Sequence, residues 1–407
     1  MDGLVIGIDL CDGYTRITLA EPERSWVIPT VICWKRDTGE WYVGEEAYGY
    51  TLVGEGVIVD KLLNLAGREG TATIGGVKYG GERLLTEFLA KALEFPFKEA
   101  GSRQVAQIAV SLEKPDGPML EMILACADAL GYDRSAFHVM SRTESFVYYV
   151  MSQKREVWSN QVAMFSLEDE NLVYYELKVQ RGLRQMTVIA ERERLEESFS
   201  LNVLDSPSGV RLADRILCSC GERLLQKKMF SSIFLTGKGF EKTEWAAEFM
   251  KMICSRRRVY GEESVFSKGA AYAAADYLRE KTSYPFICIC EGRLKASVYI
   301  KAVDRDKEVP VYLASAGDRW HEVNTKVNVI LDGQDDIEIT VAPHDLRQKK
   351  LVKIPLEGFP KRPNKTTRVE LGVSFLDEKT MAVEIDDRGF GELFPASDAA
   401  VRQEVSV

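Results

Sequence analysis

Histidine is nearly absent from this chain, with 3 residues in 407, and no Cys-x-x-Cys pair occurs. Metal centres draw on His and Cys at close spacing, so no metal site is expected. The nearest approach to one is Cys288 and Cys290, which a strand would place on one face. The simpler reading is a pair of small buried hydrophobes. The other cysteines are scattered or sit in one more Cys-x-Cys pair, Cys218/Cys220. Without a secretion signal, all 8 read as reduced thiols.

A basic excess is missing too. The net charge is −9, whereas nucleic-acid binding needs a basic face. The one compact basic cluster, Arg256-Arg257-Arg258, reads as a solvated turn or a contact at the end of a helix. No apolar run approaches the ~18 residues of a membrane span, and no basic stretch leads into an apolar one at the start. A cytoplasmic protein is expected, with neither nucleic acid nor membrane as partner. Its protein partners and oligomeric state stay open.

What is present is an ordinary globular composition, 45% hydrophobic and 28% charged, in a chain long enough for two or three domains. One device occurs twice. Leu4 to Asp9 is an apolar run ending in an acid; Leu10 to Gly13 turn, and Tyr14 to Leu19 return with strand alternation. Val162 to Leu167 is a second apolar run, followed by Glu168-Asp169-Glu170-Asn171 and a second return over Leu172 to Val179. Two such turns suit the clamping of a nucleotide's phosphates, provided glycine and N–H or hydroxyl donors let the backbone approach the oxygens. The second turn offers three acids instead.

Strands and helices alternate as far as Tyr284-Pro285. Strands are expected at Trp26 to Ile32, Glu40 to Val43, Gln107 to Ser111 and Ser232 to Leu235. Helices are expected at Gly81 to Leu93 with Pro96 just beyond, Gly117 to Leu130, Arg142 to Gln153, Ser208 to Lys228, Glu241 to Cys254 and Val265 to Leu278. Such alternation means an α/β domain around a central sheet. After Pro285 the period becomes two, at Val327 to Leu331, Ile337 to Val341, Val369 to Val373 and Met381 to Ile385. An all-β sandwich follows from it. The expected division is 1–283, 284–395 and a frayed tail over 396–407.

The order of the pieces carries a resemblance. Gly7-Ile8-Asp9-Leu10-Cys11-Asp12-Gly13 is similar to a phosphate loop G-I-D-L-G-T-T, and Val43 to Ala47 to a V/I-G-x-x-A segment. Arg142-Thr143-Glu144 falls where N-E-P stands, and Phe165 to Asn171 on F-D-L-G-G-G-T. Phe234 to Gly239 resembles a V-G-G-S adenosine loop, followed by Lys268-Gly269-Ala270-Ala271 on Y-G-A-A. Val303 to Pro310 is similar to I-E-R-N-T-T-I-P. Together they resemble the actin-like ATPase superfamily, and within it the DnaK-type heat-shock chaperones. The resemblance implies a duplicated, RNase-H-like α/β domain in two halves, then an all-β, peptide-binding sandwich. Set against that family, no helical lid is expected before Val407, no acidic-hydrophobic linker is matched, and one outer subdomain is expected to be reduced.

The resemblance also assigns residues. Asp9 would orient metal-bound water, and Cys11, Asp12 and Gly13 would hold phosphate. Ser166 stands where a metal-placing acid belongs, and Glu168, Asp169 and Glu170 replace glycines. Thr236, Gly237, Lys238 and Gly239 would meet the adenosine, and Glu144 would couple nucleotide to the second domain. Gly292, Leu294, Gly333 and Gln334 fall on the loops that take a peptide. One unit charge pair at ~4 Å is worth about 4 kcal/mol at an effective dielectric near 20. Micromolar binding totals only about −8 kcal/mol. Several acids beside a triphosphate therefore oppose it, although acids also ligate Mg²⁺. The expectation is a degenerate, non-hydrolysing chaperone-like scaffold or interaction module without ATP or Mg²⁺. The competing readings are an active ATP-dependent chaperone with an atypical phosphate site and an actin-like assembly protein.

Overall fold

Three antiparallel strands open each half of the first unit. In the computed structural model, which describes residues 3–182, 185–345 and 348–407, the first unit runs to Phe286 and the second from Ile287 to Val407. The first half contains β1 (Leu4–Leu10), β2 (Tyr14–Leu19), β3 (Arg24–Pro29), β4 (Val105–Leu112) and β5 (Phe137–Ser141), ordered β5-β4-β1-β2-β3. β2 pairs antiparallel with both β1 and β3, while β4 and β5 run parallel to β1. The second half contains β6 (Gln161–Glu168), β7 (Asn171–Arg181), β8 (Met186–Arg194), β9 (Phe230–Thr236) and β10 (Arg258–Gly261). They follow the order β10-β9-β6-β7-β8, with the same directions.

The helices repeat as well. In the first half α1 (Gly81–Ala92) precedes β4, α2 (Gly117–Ala129) precedes β5, and α3 (Arg142–Met151) follows it. In the second half α4 (Pro207–Leu225), α5 (Ala247–Ile253) and α6 (Val265–Tyr277) hold the matching places. Parallel neighbours such as β1 and β4 need crossovers of this kind. The halves meet through α3 and α6, where small residues are required. A Cβ on Gly269 would collide with the Ser145 carbonyl, and one on Gly7 with Ser267 and Ala271. All ten residues of α3 are buried. Between β3 and α1 the first half inserts a small sheet (Ile32–Lys35, Glu40–Val43, Gly56–Val59) and a hairpin (Thr71–Ile74, Val77–Gly80). At the corresponding place the second half has a short turn of helix, Leu201–Asp205.

Several expected boundaries are corrected. Trp26 to Ile32 is not one strand, because the chain leaves β3 at Pro29, which cannot donate to a ladder. It restarts in the small sheet at Ile32. Pro96 lies beyond the end of α1, as expected, but inside a second helix, Glu94–Ala100. It sits in the first turn, where its missing N–H costs nothing. The helix expected from Glu241 begins only at Ala247, since Trp245 donates its indole N–H to the Gly239 carbonyl at 2.9 Å and holds the preceding stretch as a loop.

The second unit has two antiparallel sheets. One is β12-β11-β14-β15, from β11 (Ala296–Asp304), β12 (Lys307–Ala314), β14 (Asp336–Pro343) and β15 (Lys350–Pro355). The other is β13-β16-β17-β18, from β13 (Asn324–Leu331), β16 (Thr367–Phe375), β17 (Thr380–Asp387) and β18 (Ala400–Ser406). Alternate residues are buried, among them Val298, Ile300, Ile339, Val341, Leu371 and Val383. The tail is not frayed. Ser397 donates its N–H and hydroxyl to the buried Asp387 at 2.9 and 2.7 Å, and the chain then pairs along β17 as β18.

Candidate functional site

Asp9 stands at the carboxyl end of β1, level with Arg16 on β2 and Ser111 on β4. Open α/β sheets meet ligands at this end, beside helix N-termini. Here a side chain occupies the place. Ser141 caps α3 by accepting the Glu144 N–H at 3.1 Å, and the next residue, Arg142, lays its guanidinium on Asp9. Nε donates to Oδ1 at 2.7 Å and Nη2 to Oδ2 at 2.9 Å. Nη2 also reaches the Cys11 sulfur at 3.2 Å and the Tyr14 hydroxyl at 2.9 Å. The Phe266 ring, 4.8 Å from the guanidinium carbon, closes the other side.

Tyr14 carries the network across to the second half. Its hydroxyl donates to Glu168 Oε1 at 2.7 Å, and Arg16 reaches the same oxygen at 3.4 Å while stacking on the Tyr14 ring at 3.8 Å. The other Glu168 oxygen accepts the Lys238 N–H at 3.4 Å, and the Lys238 ammonium faces Asp169 at 3.3 Å. A continuous polar chain thus runs Asp9–Arg142–Tyr14–Glu168–Lys238, joining both hairpins and the turn after β9.

Burial sets the electrostatics. It opposes the Arg142 charge, but Asp9, Tyr14 and Cys11 outweigh it and raise the guanidinium further above its usual range. Burial pushes the Cys11 thiol up to about 11 despite Arg142. It raises the Tyr14 phenol well above its ordinary value, so Tyr14 stays a donor. Removing one partner from a buried ion pair costs roughly 3–5 kcal/mol, because the other charge is left in a dry site. The network is not fully satisfied: Arg16 Nε and the hydroxyls of Ser111 and Thr143 are buried without a hydrogen-bond partner.

The remaining expected residues have structural duties. Asp12 accepts the Asn64 N–H at 3.1 Å, in the first turn of the short helix Leu62–Gly67. Gly13 has open space where a Cβ would stand, so no close approach demands glycine there. Ser166 is buried level with Thr236 on β9, and Glu170 is exposed in the turn. Glu144 is buried in the first turn of α3, where a carboxylate suits the helix dipole. Gly237, at φ 93°, and Gly239 press on Leu167, leaving no room for a side chain. The turn after β9 therefore packs directly on the second hairpin.

In the second unit the expected peptide-site residues are each engaged locally. Leu294 is buried core, with 1% exposure. Gly292 donates to Glu378, whereas Gly333 lies against Asn364, and Gln334 accepts the Asp332 N–H at 2.6 Å.

The residues that the resemblance assigns to a Mg²⁺–triphosphate are engaged with one another or with the backbone. Both Asp9 oxygens are engaged by Arg142, Asp12 caps a helix, and Glu168 holds the space between the hairpins. Among the described residues no group of three or more His, Cys, Asp or Glu is placed to hold a metal ion. Cys288 and Cys290 lie side by side, buried, with sulfurs 3.6 Å apart.

Arg142, Tyr14 and Arg16 were not among the residues expected to act. A signal for Arg142 existed. A cation directly after a Ser cap opposes the helix dipole, and the helix that follows is apolar and aromatic, so an arginine there needs a buried anion.

Family comparison adds the frame. A profile described as "Family of unknown function (DUF5716) C-terminal" matches residues 13–291. The chain belongs to this family. A second profile, described as "Domain of unknown function (DUF8552)", matches residues 293–407. Neither is a heat-shock or actin profile. The DUF5716 span contains Tyr14, Arg16, Arg142 and Glu168, while Asp9 and Cys11 precede it. The boundary between the profiles lies a few residues past the structural division at Phe286. No curated protein matches the chain.

Proposed function

We propose that the first unit is an actin-like domain of the chaperone type whose nucleotide site has been replaced by an internal ion-pair lock. The protein then works as a non-hydrolysing, cytoplasmic scaffold that recognises other proteins. The duplicated strand order, with the same directions in both halves, supports the fold reading. The observation that carries the functional one is the two-point contact of Arg142 with Asp9. The carboxylate that would orient metal-bound water is neutralised from within, and the two turns that would cradle phosphates are bonded through Tyr14 and Glu168.

Two features of the second unit support an interaction role over peptide capture. Leu294, on the loop that resembles a peptide site, is buried, and the other loop is polar. Association through a folded surface follows. Isothermal titration with ATP, with and without Mg²⁺, tests the proposal. The expected outcome is no saturable heat and no phosphate release above background. Micromolar binding, or Mg²⁺-dependent turnover, would overturn it in favour of an active chaperone.

A further inference from the structure

Five cations without an ion partner, and a sixth, Lys228, bonded to Glu176 at 2.5 Å, gather around one groove of an otherwise acidic chain. Arg155, Lys251, Arg256, Arg257 and Arg258 line adjoining cavities of about 660 and 1040 Å³ at the start of β10. Their side chains make no hydrogen bond or ion pair among the described residues. Some arginines elsewhere on the surface are paired, as Arg103 is with Glu94, Arg134 with Asp128, Arg223 with Glu193 and Arg402 with Asp386, and others stand singly; what sets the groove apart is the clustering. Clustered like charges repel, so an unneutralised group is a cost that an external anion would remove. The helix dipole welcomes a cation after α5, which accounts for one of the five.

Two further features define the anion. First, β10 ends its sheet and pairs with β9 alone among the described residues, so its outer N–H and C=O groups are open to another strand. Second, the groove is partly apolar: Met229 is 74% exposed, and Met252 lines the wall. Glu156 and Glu248 also line it and would repel an evenly charged polyphosphate. Arg256 keeps a left-handed backbone, φ 62°, in the turn after α5, a conformation that side chains other than glycine's disfavour. Holding that conformation costs ~1 kcal/mol.

We propose that β10 and its basic groove dock an extended acidic segment of a partner protein. The segment would add as a strand beside Arg258–Gly261, its carboxylates meeting the arginines and its alternate apolar side chains meeting Met229 and Met252. This deepens the interaction reading above. Its test uses neither nucleotide nor the second unit's loops, so either can fail alone.

The probe is a fluorescein-labelled seven-residue peptide alternating Glu and Val, titrated with the full chain. Saturable anisotropy is expected, weakening as salt rises and falling at least about tenfold in the double variant Arg257→Glu, Arg258→Glu. Arg256→Gln, a milder change, should weaken it less. Bound peptide should also slow maleimide labelling of Cys254, the exposed cysteine at the groove. The Lys/Val counterpart should not bind. Absence of saturable binding, equal binding by the charge-reversed variant, or tighter binding of a single-stranded oligonucleotide would overturn the proposal. So would self-association in sedimentation that the charge reversal abolishes, since a second copy would then fill the groove.

Discussion

A buried two-point arginine–aspartate pair stands in each unit, but Arg142 approaches its carboxylate side-on through Nε and Nη2 and Arg362 end-on through its two terminal nitrogens, and the two pairs keep different company. Arg362 contacts both oxygens of Asp387 at 2.8 and 2.7 Å, as Arg142 does Asp9. Asp387 receives three further donations, from the Gly389 N–H and from the N–H and hydroxyl of Ser397, all within a short stretch of chain. Burial opposes that charge, but these bonds outweigh it and hold the carboxyl well below its usual range. Asp9 instead shares its arginine with Cys11 and Tyr14, and Arg16 Nε and Ser111 Oγ nearby lack partners. The Asp387 pair is a local pin that fixes the return into β18. The Asp9 pair spans elements far apart in sequence and leaves polar groups over.

The largest way to break this comparison is Arg142→Met. It strands Asp9 in a dry site, and chemical denaturation should show a loss of roughly 3–5 kcal/mol in the first unit. Adding Asp9→Leu should recover most of it, because the cost lies in the unpaired charge. A double variant as unstable as the single one would show that the lock organises the hairpins in a way apolar packing cannot replace.

Arg362→Met should cost less, about 2–3 kcal/mol, because Asp387 keeps its other three donors. The pin also makes a pH signature. A carboxyl with a depressed folded pKa contributes stability above its unfolded pKa of about 4 and loses it as pH falls toward the folded value. The second unit should therefore weaken on acidification below roughly pH 4, and Asp387→Asn should flatten that limb. An unchanged acid limb in Asp387→Asn would remove the pin from the account.

Tyr14→Phe tests the bridge between hairpins. It deletes the donor to Glu168 and the acceptor for Arg142 while keeping the ring under Arg16. About 1–2 kcal/mol is expected, with no gain of ATP binding in calorimetry.

The hairpins were legible because their period is two and their runs are apolar, and both pairs appear as β1–β2 and β6–β7. The small residues of α6 also announced close packing, which Gly269 against Ser145 explains. The lock was less legible. Arg142 and Asp9 lie in separate motifs, and only the parallel placement of β1, β4 and β5 brings the start of α3 over the end of β1. The tail was misread because β18 is held by the Asp387 pin, a contact no local pattern announces.

The smallest effect falls on the feature that dominates the sequence. The acidic tip Glu168-Asp169-Glu170 invites the view that charge repulsion excludes nucleotide, yet its three acids differ. Glu168 is engaged by Tyr14 and Arg16, whereas Asp169 and Lys238 form an open pair, with side chains 67% and 48% exposed. Exposed pairs contribute about 0–1 kcal/mol. Lys238→Ala should therefore move the denaturation midpoint barely at all, and Asp169→Gly with Glu170→Gly should not admit ATP while Arg142 holds Asp9. If the glycine pair alone restored micromolar ATP binding in calorimetry, the acids of the second turn, and not the arginine on the first strand, would be what closes the site.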